Sequence, residues 1–192
     1  MKNSFYTRGG DEGYTSVLGE GRVAKEAARI EALGAVDEAS AALGLARAHV
    51  HAPEGPALLL QVQRDLYGLM GELAATPETA KHFHVIDDLK VAWLEDQVES
   101  LTRQVVMPRE FIIPGDTVEG AFLDLARTVV RRAERRVTEL FHRGEIINPD
   151  LLRYMNRLSS LCFVLEIREN QYNGQINITL ARTDEENDRH DH

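Results

Sequence analysis

The sequence predicts an all-α fold, an antiparallel bundle of five helices in a single domain. Three observations predict it. Apolar residues recur at 3-4 spacing in five separate segments. The connections between those segments are short, as between antiparallel neighbours in a bundle. Almost no stretch reads as strand.

The first helix spans residues ~28–51 and carries Val36, Ala39, Leu43, Ala46 and Val50 on one face. The second, ~55–75, repeats the rhythm with Leu59, Val62, Leu66, Leu69 and Leu73. The third, ~86–106, uses Leu94, Val98, Leu101 and Val105. Pro108 and Pro114-Gly115 then punctuate the longest connection.

The fourth helix, ~117–142, is the most informative. At ~100° per residue, Ala126, Val129, Val130, Ala133, Val137 and Leu140 fall on one face. Arg127, Arg131, Glu134 and Arg135 form an arc beside that stripe, while Arg132 and Arg136 lie on the other flank. Four charges along one edge of a core suit a polyanion, because guanidinium binds phosphate through fixed, bidentate donors. The bland alternative is a solvated face with i, i+4 pairs. The fifth helix opens at Asn148-Pro149-Asp150, a side-chain cap followed by proline, and runs to about Asn170. Met155, Leu158, Cys162 and Leu165 mark its core face. Asn156, Ser160, Phe163 and Ile167 form the neighbouring stripe.

The single domain, residues 1–192, divides into a leader (1–27), the bundle (28–171) and an acidic tail (172–192) expected to be disordered and solvating. The leader has no helical period. It holds five glycines between positions 9 and 21, with Thr7, Thr15, Ser16, Arg8, Arg22 and Lys25 around them. Glycine admits close backbone approach, and concave runs of N–H groups bind anions. The same composition also fits a floppy polar terminus. No Walker A sequence is present, and the leader is not read as a dinucleotide fingerprint because no strand is expected before it.

The net charge of −9 argues against nucleic acid as a partner and makes the arginine cluster a local feature suited to a small anion. Cys162 is the only cysteine, so no internal disulfide forms, and its apolar neighbours suggest a buried thiol. No apolar run reaches membrane-span length, and Met1–Tyr6 lacks a signal-peptide core. A cytoplasmic location is the expectation. His82 and His84 read as surface residues without a third ligand, and Trp93 as packing.

Four blocks carry a family resemblance: T-R-G-G-D-E-G-Y-T-S from Thr7, R-I-E-A-L-G-A-V-D-E from Arg29, F-I-I-P-G from Phe111 and A-R-T-V-V-R-R-A-E-R-R-V from Ala126. A weaker fifth is L-R-Y-M-N-R-L-S from Leu152. On these the chain resembles the PduO-type ATP:cob(I)alamin (corrinoid) adenosyltransferases, collinearly over most of residues 7–170. The resemblance implies a ferritin-like five-helix homotrimer with ATP between neighbouring subunits. It implies a glycine-rich leader wrapping the triphosphate, usually with Mg²⁺, and transfer of the 5′-deoxyadenosyl group from ATP to the Co(I) of cobalamin. It implies no membrane partner and a possible hand-off of product to an adenosylcobalamin-dependent enzyme.

Residue by residue, the resemblance assigns nucleotide contacts to Arg131, Glu134, Arg135 and Asn156, and to Thr7, Arg8, Gly10, Asp11, Gly13, Thr15, Ser16, Arg22 and Lys25 of the leader. It places Phe111 under the corrin ring, displacing the lower axial ligand so that Co(II) becomes four-coordinate and easier to reduce. It pairs Arg127 with Asp37 of another subunit, a contact worth ~3–5 kcal/mol if buried. No metal ligands are assigned. The chain departs from its relatives at Ser160 (usually aspartate), at Glu166-Ile167-Arg168 (usually A-R-Y), at Asp116 (usually glycine) and at Gly9. Those departures leave open an ATP- and corrinoid-binding carrier or sensor. An inert helical bundle is the third reading.

Overall fold

The computed structural model of the chain describes residues 8–174 and 178–182. Thr7 and the acidic end of the tail lie outside the described residues. Five helices carry the fold: α1 (Ala28–Arg47), α2 (Gly55–Ala74), α3 (Asp88–Thr102), α4 (Val118–His142) and α5 (Asp150–Tyr172). α1 packs on α2 and α4, and α5 packs on α4 and α3. Most of the apolar residues read from the sequence are the core. Those named for the first, second and fourth helices are all buried, with Val50 just past the end of α1. Leu94 and Leu101 of α3 are buried, while Val98 and, beyond the end of α3, Val105 are partly buried. Met155, Leu158, Cys162 and Leu165 of α5 are fully enclosed.

The helix ends follow local chemistry. Asp87 caps α3 by accepting from the N–H of Lys90 at 2.9 Å, and Thr117 caps α4 by accepting from Gly120 at 3.0 Å. Gly120 is needed there because a Cβ would lie 2.4 Å from Asn170 Oδ1. Asn148 opens α5 as expected, with Oδ1 accepting from the N–H of Asp150. Its amide also ties α5 to α2, donating to Glu72 Oε1 at 2.9 Å and to the carbonyl of Ile86 at 2.8 Å.

Three expectations need correction. First, α5 is buried on much more than one stripe, with Leu161, Val164, Glu166 and Ile167 also enclosed. A helix flanked by both α4 and α3 has little surface left for water, so Ile167 belongs to the core and not to a pocket-lining stripe. Second, the leader contains a short antiparallel hairpin, β1 (Tyr14–Ser16) with β2 (Arg22–Ala24), in the register Thr15 opposite Val23. Three-residue strands are too short for alternation to declare them. Third, part of the expected disordered tail is built in. Leu180 forms an antiparallel bridge with Ile112, and Ala181 and Thr179 exchange backbone hydrogen bonds with Phe111 and Ile113.

The leader is anchored at one end of the bundle. Leu18 pairs with the chain leaving α2, donating to the carbonyl of Ala74 at 2.8 Å and accepting from Thr76 at 3.2 Å. Arg29, mostly buried, donates to the carbonyls of Ala75 and Glu145 at 3.0 and 2.9 Å. It thereby fastens the start of α1, the end of α2 and the α4–α5 connection together.

Candidate functional site

The arginine arc of α4 faces the outer side of α5, and two cavities open along that seam. The larger, about 680 Å³, has apolar walls from Met107, Phe111, Ile112, Phe163 and Val164. Arg109 and Glu110, from the same segment as Phe111, also line it, with Arg127, Arg131, Ser159 and Ser160 adding polar edges. The smaller, about 260 Å³, is polar, and its walls are Arg131, Glu134, Arg135, Thr138 and Asn156. Arg131 belongs to both, so a fixed positive charge stands where a wide apolar chamber meets a polar slot.

Local hydrogen bonds hold the polar slot in shape. Asn156 Nδ2 donates to Glu134 Oε1 at 3.0 Å, bridging α5 to α4. Its Oδ1 accepts from Arg157, which in turn reaches Glu95 of α3 at 2.8 Å. Arg135 donates to the carbonyl of Arg131 at 2.9 Å, so the two guanidinium-bearing turns lie together. Arg131 and Arg135 are exposed and available to an anion. On the opposite flank, Arg132 is paired with Glu38 of α1.

Arg127 lies deeper. Its Nε and Nη2 both reach Asp124 Oδ1 at 2.7 Å. Asp37 is exposed on α1, where a neighbouring subunit could reach it, while within the protomer the partner of Arg127 is Asp124. Behind this pair sits Glu166, completely enclosed, with both carboxylate oxygens lacking a hydrogen-bond partner. Burial first, and then the negative charges of Asp124 and Asp116, push its pKa up to about 8, while Arg127 pulls the other way. Cys162, one turn back, is pushed up to about 12 by burial and is an inert thiol.

The leader residues are gathered by the hairpin, but no described leader residue lines either cavity. Arg22 is engaged within the leader, donating to the carbonyls of Gly9 and Tyr14 and lying over the Tyr14 ring. Lys25 folds over Gly10, where a Cβ would come within 2.9 Å of its ammonium group, so a larger residue there would push the lysine side chain aside. Asp11, Gly13, Thr15, Ser16 and Arg8 lie along the same exposed or half-exposed leader. The two anion-suited segments are therefore separate within a protomer.

Sequence reasoning missed residues 179–181 and the role of Asp116. The Asp116 carboxylate accepts from both the N–H and the hydroxyl of Thr179, at 2.8 and 2.7 Å. Sixty-three residues separate the pair, beyond the reach of any periodicity. His84 lies 3.4 Å from Glu72, and among the described residues no group of three metal-ligating side chains occurs. None of the described helices is long and apolar enough to cross a membrane.

The five-helix bundle thus places a slot lined by two guanidinium groups beside a wider, mostly apolar chamber, with Arg131 on the wall of both. A family model described as cobalamin adenosyltransferase matches residues 5–169. The corrinoid adenosyltransferase of Bacillus subtilis is 37% identical over 162 residues, covering 82% of each chain. The cobalamin adenosyltransferase of Cupriavidus metallidurans is 38% identical over 178 residues, 92% of this chain and 93% of that one. Among solved structures, a phenylalanine-to-alanine variant of the PduO-type ATP:corrinoid adenosyltransferase from Lactobacillus reuteri, complexed with cobalamin and ATP, superposes with a TM-score of 0.85. That match has 31% identity and covers 94% of this chain and 100% of the other. This chain belongs to the cobalamin adenosyltransferase family.

Proposed function

We propose that this protein transfers the 5′-deoxyadenosyl group of ATP to a reduced corrinoid, and that its working form is a homotrimer. The observation that carries the reading is the position of Arg131, shared by the polar slot and the apolar chamber. A nucleotide whose phosphates lie in the slot presents C5′ toward the chamber, where a corrin has room.

Cob(I)alamin supplies the nucleophile. Its Co(I) electron pair forms the Co–C bond at C5′, and the C5′–O bond breaks with its electrons going to triphosphate. Arg131 and Arg135 hold the phosphates and offset the charge that grows on the leaving group. Asn156, fixed through Glu134 and Arg157, closes one wall of the slot. Phe111, on the chamber wall, would lie against the corrin and keep a lower axial ligand away. A cob(II)alamin precursor needs one electron from an external one-electron reductant, and loss of the lower ligand makes that reduction easier. Mg²⁺ would accompany the nucleotide and neutralise phosphate charge, and among the described residues Glu134 is the carboxylate lining the slot that could help hold it.

The separation of the leader from the arginines within one protomer supports a site shared between subunits of the trimer. A leader fastened at the α2 end of its own bundle is free to serve the slot of a neighbour. Arg8, Asp11, Thr15, Ser16 and Lys25 would then complete the triphosphate cradle in trans, and Asp37 would meet a neighbour's Arg127. Incubation with ATP, Mg²⁺ and chemically reduced cobalamin tests the activity. Appearance of the light-sensitive Co–C product is the expected result. Binding of both ligands without product would identify a carrier, and absence of ATP binding an inert bundle.

A further inference from the structure

Phe111 is 87% exposed, so side-chain packing does not fix where its ring points. The backbone must do so. Four hydrogen bonds converge on this short loop. The carbonyl of Phe111 accepts from Ala181 at 2.7 Å, and the N–H of Ile113 donates to the carbonyl of Thr179 at 2.8 Å. Asp116 then grips Thr179 with both carboxylate oxygens, one on the N–H and one on the hydroxyl. Pro114 has no N–H to contribute, and Gly115 turns the chain at φ +122°, a conformation only glycine takes without strain. That turn brings Asp116 back to face Thr179.

We propose that Asp116 is a positioning residue for Phe111: through Thr179 it fastens residues 178–182 to the loop carrying the ring, and so sets the ring at the mouth of the larger cavity. This rests on the corrinoid reading above and deepens it. The bonds of Asp116 are charge-assisted and form a two-point clamp, which orients better than one contact. Glycine at position 116 could form neither bond, so the clamp is a property of this chain's own residues. The consequence falls on one step. A ring that wanders no longer excludes the lower ligand, and conversion of Co(II) to its four-coordinate form suffers. Attack by preformed Co(I), which has already shed its axial ligands, does not need the ring held.

The test uses full-length Asp116→Ala and Thr179→Val, with Thr179→Ser as the conservative control. Three readouts are taken: the fraction of four-coordinate cob(II)alamin formed with ATP, from its electron paramagnetic resonance signature; the rate from cob(II)alamin with a chemical reductant; and kcat/KM with prereduced cob(I)alamin. Asp116→Ala and Thr179→Val are expected to lower the first two by about tenfold, while the third stays within about twofold of wild type. Thr179→Ser, which keeps the hydroxyl, should restore both. Four-coordinate fraction and Co(II) rate at wild-type levels in both variants would overturn the proposal. So would an equal loss with both starting states, or failure of Thr179→Ser to rescue. Wild-type protein that makes no product even from cob(I)alamin would instead strike down the adenosyltransferase reading, and the proposal with it.

Discussion

Replacing Glu166 by glutamine should make the protein's stability respond differently to pH. In the folded protein this carboxyl is enclosed beside Asp124, with no partner for either oxygen, and its pKa is raised from 4.5 to about 8. The sign follows from proton binding. Between those values the folded chain holds a proton that the unfolded chain has released, so stability falls as pH rises from about 4.5 to about 8 and levels off above. Three and a half units at about 1.4 kcal/mol each set an upper bound of about 5 kcal/mol. Rearrangement of neighbouring groups and entry of water around an ionised Glu166 reduce that figure to about 3 kcal/mol. Glutamine is of the same size and never ionises. Urea titrations of both proteins at pH 5 and pH 9, at one protein concentration, measure the difference. Part of the effect is already spent at pH 5, so relative to wild type Glu166→Gln should gain about 2–4 kcal/mol on going to the higher pH. A difference between the two proteins that stays constant across the range would refute a neutral, orphaned Glu166.

Other changes test other parts of the account. Arg131→Lys keeps the charge but loses the planar fork, so ATP affinity by calorimetry should fall about tenfold or more with the helical circular dichroism unchanged. Phe111→Ala should slow reaction from cob(II)alamin far more than reaction from cob(I)alamin; equal slowing would contradict a role in ligand exclusion. Asp65, buried and bonded to Lys90 at 2.6 Å, Tyr154 at 2.9 Å and Gln61 at 3.0 Å, pins α2 to α3 and α5. Tyr154→Phe should therefore cost about 1–3 kcal/mol in urea titration without touching the site. Asp37→Ala should leave the protomer's helices intact and weaken the trimer by about 3–5 kcal/mol in sedimentation, and an unchanged profile would count against the inter-subunit pair.

The bundle was legible where residues contrast strongly across a helix. On α4 the apolar stripe and the arginine arc are sharply divided, so core and charged edge both follow from a helical projection. On α5 the contrast is weak because neighbours lie on two sides, and Ile167 was misplaced for that reason. Arg131, Glu134 and Arg135 line one slot as their spacing on α4 suggested, and Asn156, which only the family resemblance had linked to them, lines it too. The Arg127–Asp124 pair within the protomer was not singled out from the sequence, although helical spacing permits it. The hairpin and the Asp116–Thr179 clamp were not legible. The first is too short to show a period, and the second joins two irregular segments through side-chain geometry.

The claim on which the account turns is that the leader of one subunit completes the phosphate slot of the next. Two inactive variants decide it, one with Arg131→Ala and one with Arg8→Ala and Lys25→Ala, expressed together so that mixed trimers form. If the site lies between subunits, random assembly joins an intact slot to an intact leader at about one site in four, and activity reappears in the mixture. Co-assembled protein as dead as each variant alone would show that slot and leader serve the same chain, and would contradict the account.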